Sequence, residues 1–284
     1  MLKQRVITAL VLLAILLPAL FYANTIPFTI VMLVFMAAGA WEWGRMNGLK
    51  GAGAIAMGAV CLALCGLSWA LGWVNTPLPW LWTIAGAAWV LGSAALLRVG
   101  VAGWPSIPVA VRLVGGVLAL WVAWLAVVQA RNIGINFLLS ILVLVWVADI
   151  FAYFSCRAFG LKFTKNKLAP AISPGKSWEG VWGGMTGVIV LALCWVAFDK
   201  SSQPAVASFY THLANKGYWL LLLGAIFMAA MSVTGDLVES LIKRSAGVKD
   251  SSALLPGHGG VLDRIDALLP TLPLAMMLTY FAAA

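Results

Sequence analysis

The sequence predicts an all-α, polytopic integral membrane protein that forms a single transmembrane domain of about nine helices over residues 1–284. Hydrophobic residues make up 63% of the chain and charged residues only 10%, whereas a soluble domain is about half apolar and about a quarter charged. The mean hydropathy is +1.00. Nearly uncharged windows of about 20 residues, the length that crosses a bilayer core, recur along most of the chain. An ordinary soluble domain is therefore excluded.

Nine apolar segments are the predicted spans, and short connections join them. They cover residues 6–23, 26–44, 52–74, 79–98, 109–130, 134–156, 180–198, 218–241 and 261–283. The first span follows two basic residues as a secretory signal would, but it lacks a small-residue cleavage site and another span follows directly, so we expect it to be retained. Because only residues 24 and 25 join the first two spans, a tight hairpin that does not fully cross is an alternative for them.

The basic residues predict how the helices are oriented. If the N-terminus is cytoplasmic and the C-terminus outside, all of the 18 Lys and Arg residues except Arg131, Lys200 and Lys216 fall on the cytoplasmic side. Membrane proteins concentrate Lys and Arg in their cytoplasmic connections. Since these residues are spread along the connections, the net charge of +9 is a topology signal, and we expect no nucleic-acid partner.

The acidic residues gather at the same predicted face, because only Asp199 of the nine falls outside. A carboxylate within a span costs roughly 2.5–3.5 kcal/mol, so such groups usually face a polar cavity and have a partner. Glu42, three residues before Arg45, is explained equally well as a solvated helix end. The remaining carboxylates are candidates for function: Asp149, Glu179, Asp236, Glu239, Asp250, Asp263 and Asp266.

The last two spans carry the strongest indication of chemistry. Asp236, Glu239 and Lys243 share one face of the eighth span, and Asp263 and Asp266 open the antiparallel ninth, so Asp236 and Asp263 should approach each other. Carboxylates forced together repel unless a cation neutralises them. Oxygen-only ligands favour Mg²⁺, and the predicted metal ligands are Asp236 and Asp263.

Positive charge and glycine surround these carboxylates. Lys and Arg side chains bind phosphate, and glycines before a helix N-terminus expose N–H groups that favour it. The candidate phosphate contacts in this region are Lys243, Arg244, Lys249, His258, Gly259, Gly260 and Arg264.

A second basic loop precedes the seventh span. Its residues 175–177 are Gly-Lys-Ser, but Pro170 stands where a P-loop needs its leading glycine, so this is not a nucleotide-binding P-loop. We expect Ser173 to cap the seventh helix and Pro174 to be its first residue, with Lys176, Ser177 and Glu179 close behind.

The residues quoted above resemble one family. Residues 240–244, 249–250 and 256–266 match the signature of phosphatidate cytidylyltransferases, also called CDP-diacylglycerol synthases, and residues 235–237, 173–180, 149 and 152–153 extend the resemblance over about the last half of the chain. The chain departs from the family pattern at Phe151, Cys156 and Ser177. None of these departures affects the carboxylates.

The resemblance implies transfer of CMP from CTP to phosphatidate, giving CDP-diacylglycerol and pyrophosphate, at the cytoplasmic face of a bacterial-type inner membrane. It also implies a homodimer that needs Mg²⁺, with K⁺ as a candidate second ion. Residues 131–284 would form the catalytic helices and loops, and residues 1–130 the lipid-facing and dimer-supporting helices. The implied catalytic residues are Asp236, Lys243, Asp263, Arg264 and Asp266, with substrate contacts at Ser173, Lys176, Ser177, Arg244, Lys249, His258, Gly259 and Gly260, and supporting roles for Asp149, Glu179, Glu239 and Asp250.

Two other functions remain as alternatives. One is another CTP-dependent membrane lipid enzyme, such as a lipid kinase. The other is a cation transporter, because carboxylates within a membrane often line ion paths; the predicted confinement of the charges to one face weighs against it.

Overall fold

The computed structural model describes residues 2–283, which form eleven α-helices and one two-stranded hairpin. Their bounds are α1 Leu2–Phe21, α2 Ile26–Met46, α3 Ala52–Ala70, α4 Pro79–Gly103, α5 Val109–Ile133, α6 Ile135–Phe159, β1 Lys167–Ala169, β2 Ser173–Ser177, α7 Trp178–Ser202, α8 Phe209–Lys216, α9 Tyr218–Ser245, α10 Leu262–Ile265 and α11 Leu268–Ala283.

Among residues 2–283, nine helical segments are long and apolar enough to cross a membrane, with α10 and α11 together forming the last. This finding confirms the predicted fold class and the number of spans. The first two segments have 19 and 21 residues, so each is long enough to cross by itself. The terminal residues 1 and 284 lie outside the described part of the chain, and the predicted orientation stays a prediction.

The hairpin before α7 corrects one prediction. Strands β1 and β2 pair antiparallel, with Lys167 opposite Ser177, and this pairing keeps residues 173–177 extended. Ser173 is therefore not a helix cap and Pro174 is not the first helical residue. Ser177 caps α7 instead, because its side-chain oxygen accepts a hydrogen bond from the Gly180 N–H at 3.2 Å.

Helices α9 and α11 are the centre around which the others pack. Helices α4, α7 and α8 contact α9, while α4, α5 and α8 contact α11; α2 packs on α3 and α5. The closest pairing is α6 with α7, where small residues let the backbones approach. A Cβ added at Gly184 would lie 2.9 Å from the carbonyl oxygen of Ala148, so this glycine packs within the chain.

Arg131 holds the connection between α1 and α2 in place. Arg131 at the end of α5 donates hydrogen bonds to the carbonyl oxygens of Leu20 and Tyr22, both at 2.8 Å. These bonds satisfy carbonyl groups that the end of α1 leaves free. The guanidinium therefore ties the first helix to the bundle.

Candidate functional site

The C-terminal end of α9 forms one wall of the site. Asp236, Glu239 and Lys243 occupy one face of this helix, and the Asp236 Oδ1 accepts a hydrogen bond from Ser240 Oγ at 3.1 Å. Gly235 lets α9 approach α11 here, since a Cβ at this position would lie 2.5 Å from the Asp266 carbonyl oxygen. The missing side chain therefore brings Asp236 and Asp266 to one depth.

The β1–β2 hairpin supplies the cation that faces Asp236. The Lys176 Nζ lies 2.6 Å from the Asp236 Oδ2, and their side chains are 25% and 33% exposed. Asp149, on α6, lies within range of the charges of both residues. The hairpin thus positions Lys176 over an open pair of carboxylates, where an incoming anion can reach it.

The second lysine of the site is much more enclosed. The Lys243 Nζ lies 2.6 Å from the Asp263 Oδ1 and also forms an ion pair with Glu239, one turn earlier on α9. The side chains of Lys243 and Glu239 are 12% and 5% exposed. Lys243 therefore neutralises two buried carboxylates and joins α9 to α10.

Asp263 organises the loop between α9 and α10. Besides its pair with Lys243, its Oδ2 accepts hydrogen bonds from the Gly260 N–H at 2.7 Å, the Ser251 N–H at 2.9 Å and the Ser251 Oγ at 3.0 Å. Both carboxylate oxygens are thus occupied by donors of the protein. The carboxylate fixes the two ends of the loop relative to each other.

Glu42 is the functional candidate that sequence reasoning underrated, because it is not a solvated helix end. It is fully buried and accepts hydrogen bonds from the N–H groups of Val261 and Leu262, at 2.9 and 2.8 Å, and from the hydroxyls of Ser251 and Ser252, at 3.0 and 2.5 Å. A carboxylate that accepts the free N–H groups at a helix start stabilises that start. Glu42 therefore holds the beginning of α10 from the first half of the chain.

The sequence could show only that Glu42 needs a partner, and it suggested the wrong one. Arg45 is three residues from Glu42, close enough to suggest an ion pair, but its guanidinium stacks on Trp41, 4.7 Å from the ring centroid. Without that partner, Glu42 is an unpaired carboxylate at the end of an apolar span, and such a group needs donors from elsewhere in the fold.

The glycines before α10 are required by close packing. Gly259 has φ +80°, a conformation that favours glycine. At Gly260 an added Cβ would collide with Ser251 Oγ and with the Glu42 carboxylate. These positions were predicted as phosphate contacts, and the structure gives them the further task of letting Glu42 and Asp263 reach the loop backbone.

The other predicted residues lie around this centre. The Asp266 Oδ1 accepts from the Ala267 N–H at 2.8 Å, and the carboxylate is within range of the charge of Asp236. The Arg244 Nε donates to the Ile172 carbonyl oxygen at 3.4 Å. Ser173 is half-buried in β2. The His258 Nδ1 is buried and has no hydrogen-bond partner among residues 2–283.

Two groups of predicted residues do not join the carboxylate cluster. Glu179 instead braces the loop after α6, where its Oε1 accepts from the Thr164 N–H at 2.7 Å and the Thr164 Oγ1 at 2.8 Å. Lys249, Asp250 and Arg264 are exposed. Within the described part of the chain these three residues form no ion pair.

The donor set fits a hard cation by charge. Among residues 2–283 no three His, Cys, Asp or Glu side chains are already grouped as a ligand set. The cluster nevertheless combines the carboxylates of Asp149, Asp236, Glu239, Asp263 and Asp266 with only the two ammonium groups of Lys176 and Lys243. A divalent ion would offset this excess of negative charge, and oxygen-only donors suit Mg²⁺. Asp236 would be the more accessible ligand, since an ion at Asp263 would have to displace Lys243 or a loop donor.

Comparison with known proteins identifies the family. The model of the cytidylyltransferase family matches residues 3–282, which is nearly the whole chain. The chain belongs to this family. It is similar to the phosphatidate cytidylyltransferase of Pseudomonas aeruginosa, with 39% identity over 99% of this chain and 98% of the relative, and to that of Haemophilus influenzae, with 35% identity over 99% of both. The phosphatidate cytidylyltransferase of Thermotoga maritima is 41% identical over 51% of this chain and 49% of the relative.

Family membership confirms the resemblance predicted from the signature residues and makes the chain a nucleotidyltransferase of the membrane. The resemblance quoted from the sequence was confined to about the last half of the chain, whereas the family match also covers the first half. The structure explains what part of that first half does, because Glu42 supports the signature loop.

Proposed function

We propose that this enzyme transfers CMP from CTP to phosphatidate and releases CDP-diacylglycerol and pyrophosphate. The observation that carries the proposal is the cluster of Asp149, Lys176, Asp236, Lys243 and Asp263, which α6, the β1–β2 hairpin, α9 and α10 bring together and which residues of the family signature build. The full-length relatives named phosphatidate cytidylyltransferase support the choice of substrates. Another CTP-dependent lipid enzyme, such as a lipid kinase, would share the nucleotide but differ in acceptor.

In the proposed reaction a phosphate oxygen of phosphatidate attacks the α-phosphorus of CTP. The bond from this phosphorus to the bridging oxygen of the β-phosphate breaks, and the electron pair leaves with pyrophosphate. Such transfers depend mainly on positioning and on stabilising negative charge. The residues that this chain contributes are therefore cations and carboxylates rather than a covalent nucleophile.

Asp236 and Asp263 are the proposed ligands of Mg²⁺, with Asp149 and Asp266 beside them and K⁺ as a candidate second ion. When bound, Mg²⁺ supplies charge neutralisation and polarises phosphoryl oxygens. Asp263 also holds the 251–260 loop through its hydrogen bonds, so it acts on the positions of His258, Gly259 and Gly260. If Asp263 binds the metal, one of its present hydrogen-bond donors has to leave so that a carboxylate oxygen is free.

The cations divide according to their exposure. Lys176 is partly exposed and bound to one carboxylate, so an anionic phosphate can draw its ammonium away from Asp236. Arg244, Lys249 and Arg264 are exposed and are proposed to hold the departing pyrophosphate, which Arg grips in bidentate fashion. Lys243 keeps its two carboxylate partners and shapes the wall. We further propose a homodimer in the inner membrane, with this site facing the cytoplasm.

The test is pyrophosphate release by the detergent-purified full-length protein, given CTP and short-chain phosphatidate with Mg²⁺ and then with EDTA. We expect release to need both substrates and the metal. The matched control is Arg98→Gln, since Arg98 is an exposed basic residue on α4 outside the cluster, and it should match the wild type. Release that proceeds without phosphatidate, or that diacylglycerol supports equally well, would contradict the proposed reaction.

A further inference from the structure

A large apolar groove lies beside the site. It has a volume of about 590 Å³ and runs between α4 and α5, with walls that include Ile84, Trp89 and Leu118. Ile84 and Leu118 are 60% and 44% exposed, so the groove opens laterally from the helix bundle. This volume is in the range of ligand sites, about 300–1,000 Å³.

The floor of the groove borders the reaction site. Gly235, Val238 and Glu239 of α9 line it, and they are the immediate neighbours of Asp236 along the helix. Since Glu239 shares the α9 face of Asp236 and Lys243, a molecule in this groove lies beside the carboxylate cluster.

A second pocket, basic in character, adjoins the groove. It has a volume of about 530 Å³, and its lining includes Arg45 in the last turn of α2, Lys50 of the α2–α3 connection, Arg112 of α5, and Ser251. No Asp or Glu lines it within residues 2–283. Ser251 donates its N–H to Asp263 and its hydroxyl to Glu42, so this pocket also borders the reaction site.

Arg112 links the two spaces, because it lines both of them together with Trp104. Its guanidinium lies 5.7 Å from the Trp104 ring centroid, and its Nε is buried with no hydrogen-bond partner in the described part of the chain. Buried polar groups are nearly always hydrogen-bonded. An unsatisfied guanidinium donor between a basic pocket and an apolar groove fits an anionic headgroup that continues into hydrocarbon.

We propose that the two spaces together bind one molecule of the lipid substrate. Its phosphate lies between Arg112, Arg45 and Lys50, and its acyl chains lie in the α4–α5 groove. This inference rests on the proposed function, since it places the acceptor of that reaction. It also gives the first half of the chain a substrate-binding role, with the lipid reaching the cluster past Glu239 and Ser251 and CTP reaching it past Lys176.

Steady-state kinetics of Arg112→Gln test this placement. Loss of a charge-assisted contact should raise the KM for phosphatidate by about tenfold or more, while the KM for CTP and the melting temperature stay near the wild-type values. Arg98→Gln, which removes an equal charge from a helix face outside both pockets, should change neither KM. An unchanged KM for phosphatidate in Arg112→Gln, with wild-type turnover intact, would overturn the proposal.

Photo-crosslinking separates this proposal from the proposed reaction, because it requires no turnover. Phosphatidate with a photoreactive acyl chain should label α4 and α5 in the wild type without CTP, and Arg112→Gln should weaken the labelling. Labelling with no pyrophosphate release would reject the reaction but leave the lipid site. Labelling only elsewhere, as expected if a second copy of the chain covers the groove, would overturn the site. So would equal competition by phosphatidylglycerol, since the site would then bind anionic lipid in general.

Discussion

Asp236 and Asp263 differ in how the fold holds them, although both belong to the same signature. Asp263 accepts hydrogen bonds from Lys243, Ser251 and Gly260 through both of its oxygens. Asp236 is one-third exposed and is held by Lys176 and by the hydroxyl of Ser240. One carboxylate is built into the protein, and the other is open to exchange its partner.

This difference indicates a division of work within the cluster. Phosphoryl-transfer sites need fixed charges for positioning, and they also need groups that release one partner to take another. The loop and helix start that carry Asp263 are also held by Glu42, which is fully buried and accepts a hydrogen bond from the Val261 N–H. Asp236, by contrast, is faced by Lys176 of the β1–β2 hairpin and has no such buried support within residues 2–283. We therefore expect the metal and phosphates to be exchanged at Asp236 and the geometry to be kept at Asp263.

The largest effects should come from removing each charge in turn. Asp236→Asn and Asp263→Asn should both lower kcat by at least about a thousandfold, because each removes charge that the transition state uses. Only Asp263→Asn should also lower the melting temperature, since a buried charged hydrogen-bond network contributes about 1.5–3 kcal/mol per bond. Pyrophosphate release and thermal unfolding in detergent measure the two effects.

The comparison has its own control in Asp250→Asn. Asp250 is an exposed carboxylate of the same loop and forms no ion pair within residues 2–283, so the melting temperature should stay near the wild-type value. Equal losses of melting temperature in Asp236→Asn and Asp263→Asn would refute the proposed difference between these two carboxylates.

The sequence predicted the architecture because each span is a local property of the chain. Apolar length alone indicates nine spans, and residues 2–283 contain nine segments of that kind. Local spacing also predicts that one face of α9 carries Asp236, Glu239 and Lys243. Such features need no knowledge of which helices are neighbours.

What the sequence did not predict depends on contacts between distant parts of the chain. Glu42 and Leu262 are separated by 220 positions yet share a hydrogen bond, and nothing in the residues near Glu42 indicates that partner. The hairpin at 167–177 was missed for a related reason. A Ser-Pro start is typical of helices, but the pairing of Lys167 with Ser177 overrides that preference.

An intermediate effect is expected from Glu42→Gln, which keeps the shape but removes the charge. The amide still accepts from one of the two α10 N–H groups, so the loop should remain folded but lose the charge-assisted part of four hydrogen bonds. We expect kcat to fall by about tenfold, from a loss of about 1.4 kcal/mol in positioning, with the KM for CTP little changed.

The split between kcat and KM distinguishes positioning from simple destabilisation. Glu42→Gln should lower kcat at temperatures well below its melting transition, where the protein is folded. Full kcat at those temperatures, combined with a lower melting temperature, would show that Glu42 contributes only to stability. The position of Asp263 would then not depend on Glu42.

The smallest effect on catalysis is expected from the carboxylate at the opposite end of the bundle. Asp199 accepts hydrogen bonds from Asn136 at 3.0 Å, the Ser208 N–H at 2.9 Å and Thr211 at 2.6 Å, so it is as fully occupied as Asp263. Asp199→Asn should therefore lower the melting temperature as Asp263→Asn does, while kcat per folded molecule stays within about twofold. A large fall in kcat would mean that any loss of a buried carboxylate disturbs the site through the bundle. Retained kcat would instead assign the loss in Asp263→Asn to its place beside Lys243 and the signature loop.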